Sequence, residues 1–241
     1  MRYPVITLDG PAGAGKSTMA RYLADALEGF AYLDTGAIYR TIALALLRGG
    51  IRPDDVEKAR DAIADTAGGA GMSVRFLARD GGGFVQAMYL DGRAVDDRIL
   101  RSPDVTAMSS ACAVEPAVRA LVNEESRKAA EGQALVADGR DTGTAVFPDA
   151  VLKFYLYAPV HDRAARRMAQ DAARDVRRPL DQVLADLQDR DRRDSTRGHD
   201  PLRFPPDAIW IDTGLFLEET ERRFLLDIAR ARLDPSSARV I

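Results

Sequence analysis

Tyr3-Pro4-Val5-Ile6-Thr7-Leu8-Asp9-Gly10-Pro11-Ala12-Gly13-Ala14-Gly15-Lys16-Ser17-Thr18 is an apolar run that breaks into glycines and then turns helical. Tyr3 to Leu8 has the length and content of a buried strand. The glycines mark a turn. From Lys16 to Leu27 the residues Ala20, Leu23, Ala24 and Leu27 recur at helical spacing and share one face. Outward from there, Ala31 to Leu33 reads as a second short strand. Ala37 to Leu47 reads as a helix that stops at Gly49-Gly50. Strand, turn, helix, strand, helix is the rhythm of a parallel sheet flanked by helices, so the expected fold class is α/β.

The middle of the chain departs from this rhythm. Val74 to Ala78 and Phe84 to Leu90 read as two strands joined by Arg79-Asp80-Gly81-Gly82-Gly83, and a tight turn at Asp91-Gly92 leads to Val95. This small antiparallel patch reads as an insertion at about 70–100. Helical patterns resume at Asp104 to Cys112 and Pro116 to Ala130. Leu135 to Ala137 and Val151 to Tyr157 are further buried-strand patterns. Two Arg-rich helical stretches follow, Val160 to Ala173 and Leu180 to Arg190. Ala208 to Ile211 is the last strand, Leu215 to Leu233 the last helix, and Pro235 to Ile241 a loose tail. No repeat or low-complexity linker divides the sequence, so a single domain over 1–241 is expected.

Composition narrows the function classes. The 241 residues are 46% hydrophobic and 29% charged, an ordinary globular balance. A net charge of -3 does not favour a nucleic-acid or anionic-membrane binder. No apolar run approaches a membrane span, and the start of the chain reads as a strand rather than a signal peptide. The single cysteine, Cys112, has no intrachain partner and lies in an apolar helical run. It reads as a buried, inert thiol, and a reducing cytoplasm is the expected location. His161 and His199 have no partners at metal-ligand spacing and read as surface or loop residues.

Gly10 to Ser17 matches G-x-x-x-x-G-K-[ST]. Glycines let the backbone curl until successive N–H groups point at phosphate oxygens. The helix that follows adds the positive end of its dipole. Lys16 can reach the β and γ phosphates, and the Ser17 hydroxyl can ligate Mg²⁺. Gly10, Pro11, Ala12, Gly13, Ala14, Gly15, Lys16, Ser17 and Thr18 are therefore the expected ATP-binding residues, with Ser17 the metal ligand. The motif says nothing about the acceptor.

A GTPase would need Asn-Lys-x-Asp, and the only asparagine, Asn123, precedes Glu124. A large ATPase motor would be longer. What remains is a kinase of a small acceptor, which must hold a second anion, and the planar fork of arginine suits phosphate. Asp34-Thr35-Gly36-Ala37-Ile38-Tyr39-Arg40 follows the second strand, and Asp138-Gly139-Arg140-Asp141-Thr142-Gly143 follows the strand at Leu135 to Ala137. Both place polar groups at strand carboxyl ends, where open α/β sheets bind ligands. Arg190 to Arg197 closes an Arg-rich helix.

In order and spacing, GPAGAGKST, LDTGAIYR, ADGRDTGTAVFPDA and DRDRRDSTR resemble bacterial cytidylate kinase, from about Val5 to Asp212. The resemblance implies a P-loop NTPase-type sheet with an inserted nucleoside-monophosphate-binding subdomain and a short helical lid at about 163–182, starting at Arg163, Arg166 and Arg167. It implies γ-phosphoryl transfer from MgATP to CMP or dCMP, in a cytoplasmic monomer without nucleic-acid or membrane partners. Thr35, Arg40, Arg140 and Arg197 would hold the CMP phosphate, and Arg190 and Asp194 the sugar. Ser110, Arg119 and Asp141 would read the cytosine. Lys16, Arg140 and Arg197 would be the catalytic groups.

Other readings stay open on the residues. UMP or AMP could be the acceptor, or the loop could bind nucleotide without catalysis. Asp34, Asp141 and Asp212 each begin an Asp-Thr-Gly, which would suit an aspartic protease, although helical patterns follow Asp34 and Asp212. Asp212 reads more simply as a strand-to-helix turn. Asp138 either ends a strand or stands near Mg²⁺ through water. From Arg163 to Arg197 ten Arg and seven Asp interleave, as on solvated helix faces. Arg174, Arg177 and Arg192 read as surface residues.

Overall fold

The computed structural model describes residues 3–56, 60–69, 71–80, 82–173, 175–215 and 218–234. The strands are β1 (Val5–Asp9), β2 (Phe30–Asp34), β3 (Met72–Ala78), β4 (Phe84–Leu90), β5 (Arg93–Ala94), β6 (Ala134–Asp138), β7 (Leu152–Tyr157) and β8 (Ile209–Asp212). The helices are α1 (Lys16–Ala26), α2 (Thr35–Arg48), α3 (Arg60–Gly69), α4 (Asp97–Leu100), α5 (Pro103–Cys112), α6 (Pro116–Ala129), α7 (Val160–Ala172), α8 (Leu180–Thr196) and α9 (Glu218–Leu233).

Five strands form one sheet in the order β2-β6-β1-β7-β8, and three form an antiparallel sheet in the order β3-β4-β5. Every residue of β1 and of β6 is buried, as strands covered on both faces must be. β1 runs parallel to β7 with Leu8 opposite Phe154, and β7 runs parallel to β8 with Leu156 opposite Ile211. The expected α/β class with a small antiparallel sheet is therefore the observed one.

The chain divides into two compact units, and the division passes through β6 between Leu135 and Val136. The first unit, 29–135 with the extreme N-terminus, holds β2, the antiparallel sheet and α2 to α6. Its core includes Ile38, Ile42 and Leu46 of α2, one apolar stripe at helical spacing, with Met108 and Cys112 of α5. The second unit, 4–28 and 136–241, holds β1, β7, β8, α1 and α7 to α9. Its core includes Ile6, Leu8, Leu23, Phe154 and Leu225, all without solvent exposure.

Several boundaries differ from the sequence expectation. α8 runs on past Arg190 to Thr196. Its last turns lack apolar periodicity, and they are held by ion pairs to distant residues instead. α3 and the short α4 carry too few apolar residues for periodicity to mark them. A single π-helical turn spans Thr142–Val146. Arg174 and the tail 235–241 lie outside the described residues. Among those described, no single helix is long and apolar enough to cross a membrane. Cys112 is buried, and burial pushes its thiol pKa up to about 12, in keeping with an inert side chain. His161 and His199 are exposed.

Candidate active site

In the second unit the glycine-rich loop joins β1 to α1. Gly10 has φ 141, and a Cβ there would stand 2.0 Å from the Leu156 carbonyl oxygen. Neither condition tolerates a side chain. Gly15 takes the left-handed conformation at the N-cap of α1, with φ 88 and no side-chain cap. The first amides of α1 are thus left for a ligand, as at other anion-binding helix starts. Lys16 is buried, and its Nζ donates to the Pro11 carbonyl at 2.7 Å. Burial first, then Arg140 and Arg190, push the Lys16 pKa well below its ordinary value, against Asp138 and Asp9. An incoming anion would relieve that cost.

Ser17 Oγ donates to Asp138 Oδ2 at 2.8 Å. Asp138 therefore both ends β6 and meets the hydroxyl expected to bind a cation. Among the described residues no group of three or more His, Cys, Asp or Glu could hold a metal. A cation here would need Ser17 together with phosphate oxygens, which suits Mg²⁺.

Asp9, the last residue of β1, is fully buried. It accepts from Thr142 N at 2.9 Å, Thr142 Oγ1 at 2.6 Å and Gly143 N at 2.7 Å. Burial raises the Asp9 pKa, opposed by those donors and by Lys16. Asp9 ties the loop carrying Arg140 and Asp141 to the strand that feeds the glycine turn. A Cβ on Gly143 would lie 2.8 Å from Thr7 Oγ1.

Arg140, Asp141, Asp194 and Arg197 form one network. Arg140 Nε donates to Asp194 Oδ2 at 2.8 Å. Arg197 Nη2 donates to Asp141 Oδ1 at 3.1 Å, and its Nη1 lies 3.7 Å from Asp194 Oδ1. Burial would raise the Asp194 carboxyl pKa, but Arg140, Arg190 and Arg197 outweigh it and hold the group ionised. Arg190 is exposed on the same helix. Arg163, expected at the start of a lid, is buried and donates to the Ala12 carbonyl of the loop at 2.9 Å.

The first unit carries the remaining expected residues. Asp34 accepts from Ala37 N at 3.1 Å and so caps α2. Its other oxygen accepts from Arg40 Nη2 at 2.7 Å, and Arg101 stands 3.6 Å away. Arg40 Nε is buried with no hydrogen-bond partner among the described residues. Thr35 is buried at the start of α2. Ser110 is half-buried on α5. Arg119 of α6 is only 2% exposed, donates to the Ala113 carbonyl at 3.2 Å and lies 5.8 Å from the centre of the Tyr39 ring. Gln86 of β4 grips the Asp34 backbone, accepting from its N–H at 2.7 Å and donating to its carbonyl at 3.3 Å.

Sequence reasoning gave no role to Asp9, Gln86 and Asp191, which contact backbone and paired side chains and belong to no periodic pattern, and it placed Arg163 only at the start of a lid. Only the position of Asp9, directly before the first glycine of the turn, was a signal.

A family model described as cytidylate kinase matches residues 6–220. The cytidylate kinase of Syntrophotalea carbinolica is 38% identical over 98% of this chain and 97% of its own length. That of Geobacter sulfurreducens is 40% identical over 89% of this chain and 88% of its own. That of Mycolicibacterium paratuberculosis is 42% identical over 95% of this chain and 96% of its own. With that loop, those arginines and these likenesses over nearly its whole length, the chain belongs to the cytidylate kinase family.

Proposed function

We infer that this protein transfers the γ-phosphoryl group of ATP to CMP or dCMP, giving ADP and CDP or dCDP. The observation that carries the reading is a glycine turn with a buried lysine in a chain whose family phosphorylates cytidylate. An oxygen of the CMP phosphate attacks the γ phosphorus in line. The bond from that phosphorus to the β–γ bridging oxygen breaks, and ADP leaves with the electron pair. The acceptor is already an anion, so no protein nucleophile is required. Catalysis is then positioning and neutralisation of charge.

The proposed roles divide as follows. The loop 10–18, through the backbone N–H groups that follow Ala12, and the Lys16 ammonium hold the ATP phosphates. The Ser17 hydroxyl, oriented by Asp138 at 2.8 Å, holds Mg²⁺. When bound, Mg²⁺ neutralises charge on the phosphates. Arg40, Arg140, Arg197 and Thr35 bind the CMP phosphate. Arg190 and Asp194 bind the ribose. Asp141 accepts from the cytosine amino group while Ser110 and Arg119 donate. Uracil would place a carbonyl against Asp141 and leave both oxygens unpaired. A lid at about 163–182 that excludes water, a single domain over 1–241 with the insertion at about 70–100, a monomeric state and a cytoplasmic location belong to the same proposal.

ADP release coupled to NADH oxidation tests it, with CMP, dCMP, UMP, AMP or no acceptor present. Release that depends on CMP and dCMP is expected. Release driven by AMP or UMP alone would move the assignment to another acceptor, and release with none would make the chain an ATPase.

A further inference from the structure

Asp191 lies inside the Arg190 to Arg197 stretch, yet neither the phosphate clamp nor the ribose contacts use it. Its carboxylate faces the glycine turn. Oδ1 accepts from the Ala12 backbone N–H at 3.2 Å. Oδ2 accepts from Arg163 Nη1 at 2.6 Å. That same Nη1 donates to the Ala12 carbonyl at 2.9 Å, and Arg163 Nε donates to the Ala158 carbonyl at 2.9 Å. Both polar groups of residue 12 are therefore held from α7 and α8. Below them Ala12 packs into an apolar cluster with Ala164, Val183 and Leu187.

Charge explains why two residues are needed. A lone carboxylate beside a triphosphate site would repel the substrate. Arg163, 5% exposed, cancels that charge at contact distance. Because the Ala12 N–H is already taken, the amides that meet phosphate are those after it. A Cβ on Gly13 would come within 3.1 Å of Arg163 Cβ, so this side chain also walls the loop at the next residue.

We infer that Asp191, with Arg163, is a positioning residue for ATP: the pair pins the Ala12 peptide and so sets the curl of the phosphate-binding turn. The inference rests on the kinase reading above. Nothing in it requires Asp191 to touch either substrate.

The test uses the full chain as wild type, Asp191→Ala, Asp191→Asn and Arg163→Lys, with steady-state kinetics and unliganded melting. Wild-type ADP release without CMP dependence would fail the kinase reading itself, apart from this proposal. With wild type active, Asp191→Ala is expected to raise the KM for ATP about tenfold or more, while the KM for CMP stays within about threefold. Asp191→Asn keeps an oxygen for Ala12 but sets an amide against Arg163, so a smaller rise in the same KM is expected. Arg163→Lys keeps the charge but loses the fork, and is expected to shift the same constant. ATP constants unchanged in both conservative variants would overturn the proposal. So would equal rises in both KM values alongside a large drop in melting temperature, because that pattern marks a general packing role.

Discussion

Lys16 is a cation held where water cannot stabilise it. Burial and two neighbouring guanidinium groups act against its charge, and Asp138 and Asp9 only partly offset them. Such a group is matched to a substrate that brings negative charge. Lys16→Ala is expected to lower kcat by about 10²–10³-fold, the usual cost of removing one electrostatic donor from a transition state. Steady-state rates at saturating ATP check this, and unchanged turnover would remove Lys16 from the chemistry. Glu221 makes the opposite case. It is 4% exposed, its Oε1 has no hydrogen-bond partner among the described residues, and burial raises its pKa to about 7 from 4.5. Because the folded state keeps its proton, this group favours folding most below pH 4.5, and that contribution is lost as pH rises to about 7. The whole effect is on the order of 3 kcal/mol. Urea midpoints at pH 5 and pH 8 should therefore fall more steeply for wild type than for Glu221→Gln. Parallel curves would show that Glu221 ionises normally in the fold.

At the scale of elements, strands and helices present their ends to the chemistry. α2 begins at Thr35 because Asp34 caps it, and the same carboxylate orients Arg40. One residue thus links helix formation to the proposed acceptor clamp, while Gln86 of the antiparallel sheet holds its backbone from both sides. Asp34→Ala should cost about 1 kcal/mol through the lost cap. It should also raise the KM for CMP several-fold while leaving that for ATP alone. Denaturation curves and paired KM measurements separate the two effects, and a KM for CMP equal to wild type would break the link. The loop after β6 shows the same economy. Three hydrogen bonds into Asp9 hold it, and the two amides that open its π-helical turn, those of Thr142 and Gly143, both meet that single carboxylate.

At the scale of the whole molecule, a ligand that binds only the folded chain must stabilise it. At about a hundredfold excess over Kd the gain is about 2.7 kcal/mol. For a chain of this size that corresponds to a rise of roughly 5–10 °C in melting temperature. MgATP is expected to give that rise, and EDTA to remove most of it and to abolish CMP phosphorylation. Scanning calorimetry measures the first and the coupled assay the second. A melting curve insensitive to MgATP would contradict nucleotide binding by the folded state.

How far the sequence reached follows from chain distance. The strand, the glycine turn and α1 are contiguous, and their conformations depend on local facts: where a Cβ is tolerated, where an amide is left free, which positions repeat at helical spacing. The residues alone therefore determined the donor loop, most element boundaries and the α/β class, and the spacing of four motifs pointed to the family. The arrangement of the site was a different matter. Arg140 meets Asp194 across 54 residues of chain, Arg197 meets Asp141 across 56, and Asp9 meets Gly143 across 134. No periodicity carries such pairings. They exist because neighbouring strands bring distant loops to the same end of the sheet, where buried charges find partners or are excluded. Arg163 shows the difference most clearly: the resemblance implies only the start of a lid for it, and tertiary packing makes it a buried brace on the glycine-rich loop.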